Sequence, residues 1–126
     1  NIGFHGAAMK GRGGQQLPAY EIFLGGSYGG NSIDDTRIGK RVPGVKVPAK
    51  DAPKLVASIA AYYKDHRAEG EEFNQFIDRV GQDPVKGIIA QYSDVSALGP
   101  DSQDTYIDWQ RLDIYKLERG EGECAV

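Results

Sequence analysis

The sequence predicts an α+β fold, a small antiparallel sheet covered by two to three helices and followed by an irregular C-terminal tail. Three observations carry this expectation. Apolar residues alternate with period 2 only near the start, in Ile2 and Phe4 and again in Tyr20, Ile22 and Leu24. From Asp51 to Tyr92 the spacing changes to that of amphipathic helices, as in Leu55, Ile59 and Tyr63. Beyond Tyr92 neither period persists.

Asn1 to Ala8 reads as a first strand, and the polar, glycine-rich stretch Lys10 to Gln16 as a hairpin loop. The loop leads into a second strand, Ala19 to Leu24, with Tyr20, Ile22 and Leu24 on one face and Glu21 and Phe23 on the other. His5, at the end of the first strand, is either a satisfied structural histidine or a proton-transfer group. Met9 reads as a gap-filler. Gly25, Gly26, Gly29 and Gly30 follow, residues that permit positive φ or a close backbone approach. Arg37, Lys40 and Arg41 come soon after, so a backbone rich in N–H groups lies beside three cations. That pairing suits an anion, although a wide turn needs the same glycines and the spacing is neither GxGxxG nor that of a phosphate-binding loop.

Val42 to Lys50 contains Pro43 and Pro48 and is expected to be extended. Asp51 is placed to cap the first helix, with Pro53 tolerated in its first turn, and about four turns follow to Tyr63 with Val56 and Ala60 flanking the apolar side. Gly70 is expected to stop or kink this helix. Phe73, Phe76, Ile77 and Val80 define a second helix ending near Gly81, with Glu69, Glu71 and Glu72 at its start as a solvated end or an acidic docking patch. Asp83 and Pro84 open a third, short helix carrying Val85, Ile88, Ile89 and Tyr92. Ser93 to Asp104 is expected to be a flexible connection, Thr105 to Trp109 and Ile114 to Leu117 short extended pieces, and Trp109 an anchor for the tail.

Composition bounds the function. A chain of 126 residues, 40% hydrophobic and 26% charged, suits one soluble domain, and a cytoplasmic location is expected because neither a membrane span nor a signal-peptide pattern is visible. A single cysteine, Cys124, excludes an intramolecular disulfide and cannot alone hold zinc or an iron–sulfur cluster. With acidic neighbours Glu121 and Glu123 it reads as an ordinary thiol. Residues 1–50 carry 7 Lys and Arg against 3 Asp and Glu, whereas the remainder carries 8 against 15. A basic front and an acidic back disfavour nucleic acid as a partner and are compatible with an anionic cofactor or substrate at the front. No Ser–His–Asp, Cys–His or paired-carboxylate pattern points to a hydrolase.

The short pieces also occur in a telling order. Ile2-Gly3-Phe4-His5-Gly6, then Pro18-Ala19-Tyr20-Glu21-Ile22-Phe23-Leu24-Gly25-Gly26, then Arg37-Ile38-Gly39-Lys40-Arg41-Val42-Pro43 are followed by Tyr63 to Arg67, Gly70 to Phe73 and Phe76 to Gly81. This succession resembles the C-terminal part of sirohaem-dependent sulfite and nitrite reductases, over roughly two thirds of the chain. The closing residues, Glu118 to Val126, resemble those of some bacterial members. The resemblance implies a reductase-like unit over residues 1–81 and a short helix plus irregular extension over 82–126. It implies a parent oxidoreductase that reduces sulfite to sulfide or nitrite to ammonia with sirohaem and a 4Fe–4S cluster. The cluster cysteines of that family precede the stretch matching Ile2 to Gly6, so this chain alone is expected to bind neither group and to be inactive. Its partners would be the N-terminal part of the reductase and an electron donor, ferredoxin or a flavoprotein, with no nucleic acid and no membrane. Gly25, Gly26, Arg37, Lys40 and Arg41 are the candidate contacts to sirohaem carboxylates or to another domain. They equally suit ion pairs with Asp34, Asp35 and solvent. Two other readings stay open: a non-catalytic assembly or donor-docking module, and a stand-alone small-anion-binding α+β domain.

Overall fold

A β-hairpin organises the chain, because the alternating residues of Ile2–Leu24 can be buried only by pairing and then covering the pair. The structure is a computed structural model that describes residues 1–29 and 36–117. Strand β1 (Ile2–Lys10) pairs antiparallel with β2 (Gln16–Leu24) in unbroken register from Ile2 opposite Leu24 to Lys10 opposite Gln16. Both strands reach further into the loop than the sequence suggests. The cause is local: Gly11 N–H donates to Gln15 O at 3.1 Å, Gly14 N–H donates to Gly11 O at 2.9 Å, and Gly14 adopts φ 81°. His5 consequently lies in mid-strand, exposed, with Nδ1 3.8 Å from Glu21. The expected place at the end of the strand is thereby corrected.

Two short strands complete this sheet on the other side of β2: β5 (Lys40–Arg41), opposite Leu24 and Phe23, and β6 (Val47–Pro48), opposite Tyr20 and Ala19. Between them the chain turns at Pro43-Gly44, where Gly44 takes φ 77°, so the segment from Val42 is not extended throughout. A separate two-stranded ribbon, β3 (Ser27–Tyr28) with β4 (Thr36–Arg37), projects between β2 and β5.

Three helices cover the face that carries Ile22 and Leu24. Helix α1 (Ala52–His66) inserts Leu55 and Ile59 and leans Tyr62 and Tyr63 inward, while Val56 and Ala60 stay exposed. Burying each large aliphatic side chain stabilises by about 1.5–3 kcal/mol. Asp51 does not cap α1 with its side chain. The residue belongs instead to a 3₁₀ turn, Ala49–Asp51, whose backbone supplies the first bond, Ala52 N–H to Ala49 O. The helix stops at His66, before Gly70, which forms a tight turn at φ 72° with Glu71 N–H donating to Ala68 O.

Helix α2 (Phe73–Val80) starts at a capping box in which Glu72 and Gln75 exchange side-chain and backbone bonds, and it ends at Gly81, φ 78°. Helix α3 (Asp83–Ala90) begins one residue earlier than the Asp83 cap implied, with Gln82 in the cap position and no side-chain bond. Phe76, Ile77, Val85 and Ile89 join Ile22, Leu24, Val42, Val47, Leu55 and Ile59 in one buried cluster.

A second cluster lies on the opposite face at the far end of the hairpin. Leu17, Val95 and Tyr106 are buried there, with Met9 and Ile114 packed against them. Ser93 to Asp104 is therefore held in place: Arg12 N–H donates to Val95 O, Arg12 pairs with Asp94, and Gly99 N–H donates to Ser102 Oγ. Gln103–Tyr106 is a 3₁₀ turn, and the expected extended pieces reduce to one bridge, Ile107 with Ile114. Trp109 pins the tail as expected, its Nε1–H donating to Ala49 O at 2.9 Å beneath Lys50, yet 46% of it is exposed and Tyr106 is the fully buried anchor. No helix among the described residues is long and apolar enough to cross a membrane. Gly30, Asp34 and Asp35, and the tail around Cys124, lie outside the described residues.

Candidate functional site

Of the five residues singled out from the sequence, Gly25, Gly26 and Arg37 meet at the neck of the β3–β4 ribbon. Gly25 has φ 85°, and a Cβ there would sit 2.9 Å from Arg37 Nη2. Gly26 lies against the returning chain, where a Cβ would meet Gly39 N at 3.1 Å. Glycine is thus favoured at Gly25 by its dihedral angle, and at Gly26 a side chain would press tightly on the Gly39 backbone, before any ligand is considered.

The three cations have different surroundings. Arg37 Nε–H donates to Gly25 O, and its two terminal nitrogens donate to the Asp78 carboxylate at 2.9 and 3.0 Å. This is a bidentate pair joining the ribbon to α2, a geometry available to Arg and not to Lys. Lys40 is exposed on β5, with Asp78 as a charged neighbour. Arg41 points to the other face, where Nη1 donates to Glu21 at 3.2 Å. The structure therefore brings Gly25, Gly26 and Arg37 together as one locked unit and leaves the Lys40 and Arg41 cations at its exposed margins. Whether Asp34 or Asp35 joins them falls outside the described residues.

The sequence reading missed the α2 side of this site. Asn74 Nδ2–H donates to Gly26 O at 3.2 Å, Asp78 takes Arg37, and Gln82 Nε2–H donates to Lys40 O at 3.2 Å. Asn74 and Asp78 stand at i and i+4 on α2, so a polar pair beside the Phe73–Val80 apolar stripe was the available signal, whereas Gln82 lies past the Gly81 end of that helix, at the start of α3. Between the glycine turn and the end of α2 lies a cleft of about 530 Å³ lined by Arg37, Lys40, Ile77, Asp78 and Gly81. Arg37 is engaged there by Asp78 and Gly25 O, which leaves Lys40 as the cation of this lining with no carboxylate bonded to it among the described residues.

Hydrogen bonds from Arg37, reinforced by the charges of Arg37 and Lys40, hold the Asp78 carboxyl below its usual range despite partial desolvation. Arg79 does the same for Glu71, and Arg12 for Asp94. A carboxyl whose pKa is lowered by folding contributes stability above its unfolded value, and the contribution is lost as pH falls through the folded one. The expected result is a fall in the urea midpoint below about pH 4. Asp78→Asn should show a shallower fall than the parent sequence, and an identical pH response in both would contradict the pairing.

Among the described residues no group of three or more His, Cys, Asp or Glu is arranged to hold a metal ion. No protein-family model matches the chain, and no curated protein matches it. Among solved structures, the chain is similar to the NirA protein of Mycobacterium tuberculosis, with a TM-score of 0.58 and 25% sequence identity, a likeness that covers 67% of this chain and 15% of that one.

Proposed function

We propose that these residues are the C-terminal part of a sirohaem- and 4Fe–4S-dependent sulfite or nitrite reductase, and that they act as a supporting wall of its cofactor chamber. The observation that carries this reading is the similarity to NirA, a sulfite/nitrite reductase, at 25% identity over 67% of this chain. The ordered motifs from Ile2 to Gly81 support the same family from the sequence alone.

The residues fit one part of the prosthetic system and not the other. Among the described residues no set of His, Cys, Asp or Glu is arranged to hold a cluster, so this reading assigns the metal-holding groups to other parts of the proposed reductase. Sirohaem is rich in carboxylates and supplies the electron chemistry when bound, while the protein supplies position and positive charge. Lys40, exposed beside the glycine turn, is the cation best placed for such carboxylates, and Arg41, on the other face, would reach them by exchanging its Glu21 partner. Arg37 acts as a strut, since Gly25 O and Asp78 engage its fork. The N-terminal part of the reductase and an electron donor complete the proposed assembly.

The test is the sirohaem content of the longer polypeptide with and without Lys40→Ala and Arg41→Ala. Reduced occupancy at unchanged thermal stability supports the assignment. Full occupancy in the double variant leaves Lys40 to solvent and Arg41 to its pair with Glu21, and overturns the assignment.

A further inference from the structure

The outer edge of β1 has no strand partner among the described residues, since the sheet order is β1-β2-β5 with β6 also on β2, and only toward its far end does a side chain engage it, Lys46 Nζ donating to Ala8 O at 2.9 Å. Gly25 N–H donates to Asn1 O and Gly11 N–H donates to Gln15 O, and both bonds fall on the register that pairs Ile2 with Leu24. In an antiparallel ladder, hydrogen-bonded and non-hydrogen-bonded pairs alternate. The odd residues Gly3, His5 and Ala7 therefore direct their peptide groups to β2, and the even residues Ile2, Phe4 and Gly6 direct theirs outward.

The same residues form an unfinished margin of the main core. Phe4 lies opposite Ile22 on the helix-covered face, packs edge-on against Tyr20 with ring centroids 5.6 Å apart, and is still 39% exposed. Permanently free edges are normally blunted by proline, bulges or inward charges. From Ile2 to Ala7 there is no proline, no bulge and no lysine; the lysines gather at the far end, where Lys46 bonds Ala8 O and Lys10 closes the strand.

We infer that the edge of β1 at Ile2, Phe4 and Gly6 is completed by an extended segment of the same longer polypeptide, added as a further strand. The inference rests on the reductase reading for its occupant, because the similar NirA chain is matched over only 15% of its length and so leaves ample chain to supply one. The occupant is a run of about five residues or more with apolar side chains on the helix-covered face, where they close over Phe4 and Ile2. It carries no charge on that face.

Residue-resolved amide hydrogen exchange tests this, comparing the longer polypeptide with the 126-residue chain. In the short chain, Gly3 and His5 should be protected while Phe4 and Gly6 exchange rapidly. In the longer polypeptide Phe4 and Gly6 should slow by about 100-fold or more, to match Gly3 and His5. Should the short chain fail to fold, the ratio of even to odd amide rates within the longer polypeptide decides the same question. Rapid exchange at Phe4 and Gly6 in a longer polypeptide that binds sirohaem overturns the strand addition and leaves the reductase reading intact. Protection without sirohaem sinks the reductase reading and leaves the completed edge. Protection in the short chain that rises with its concentration assigns the edge to a second copy and overturns the inference.

Discussion

Phe76→Ala is expected to lower the unfolding free energy by about 3–5 kcal/mol, the range for removing a buried aromatic side chain. Phe76 is fully buried between the rings of Tyr62 and Tyr63, at centroid distances of 5.5 and 5.3 Å, with Arg79 over its face. Helix α2 has only 8 residues, too few to persist without tertiary packing. Because the same helix holds Gly26 through Asn74 and Arg37 through Asp78, losing Phe76 should also loosen the glycine neck. Urea denaturation measures the first effect, and amide exchange at Gly26 the second. A loss below about 1 kcal/mol would mean that the site relaxes around the cavity and that the helical cover is not the main support of the neck.

The second large effect concerns the far end of the hairpin. A Cβ placed on Gly11 would lie 1.8 Å from Tyr106 Oη and 3.0 Å from its Cζ. Gly11→Ala should therefore cost about 1–3 kcal/mol through overpacking. Tyr106→Phe removes the hydroxyl that donates to Ser96 O at 2.7 Å and should cost about 0.5–1.5 kcal/mol. The double variant should cost less than the sum, because the second substitution opens the space that the first one needs. Additivity within about 0.5 kcal/mol would contradict the contact.

How much of this was legible follows from which interactions are local. Periodicity exposed the hairpin, the three helices and most of the main core, since Ile22, Leu24, Leu55, Ile59, Phe76, Ile77, Val85 and Ile89 all recur at helix or strand spacing. Asp51 looked like a cap because capping is judged from four or five neighbouring residues, whereas the 3₁₀ turn at Ala49–Asp51 follows from Pro48 being held in the sheet. The second core was hidden for a related reason. Leu17, Val95 and Tyr106 are separated by long stretches of chain with no shared period, and only the folded hairpin brings them together.

The site was legible in part. Glycines and cations in sequence pointed to the neck, yet their partners Asn74 and Asp78 come from a helix some forty residues away in the chain, Arg37 and Asp78 being 41 apart. A polar stripe on a helix is usually read as its solvent face. Here part of that stripe seals a turn, with Asn74 on Gly26 O and Asp78 on the Arg37 guanidinium.

The decisive experiment is to determine the sirohaem, iron and acid-labile sulfide of the purified longer polypeptide that contains these residues. The expected result is one sirohaem and one 4Fe–4S cluster per chain, with the 126-residue chain alone colourless. A longer polypeptide without sirohaem and without iron, or a short chain that shows a sirohaem absorption band by itself, would contradict the account.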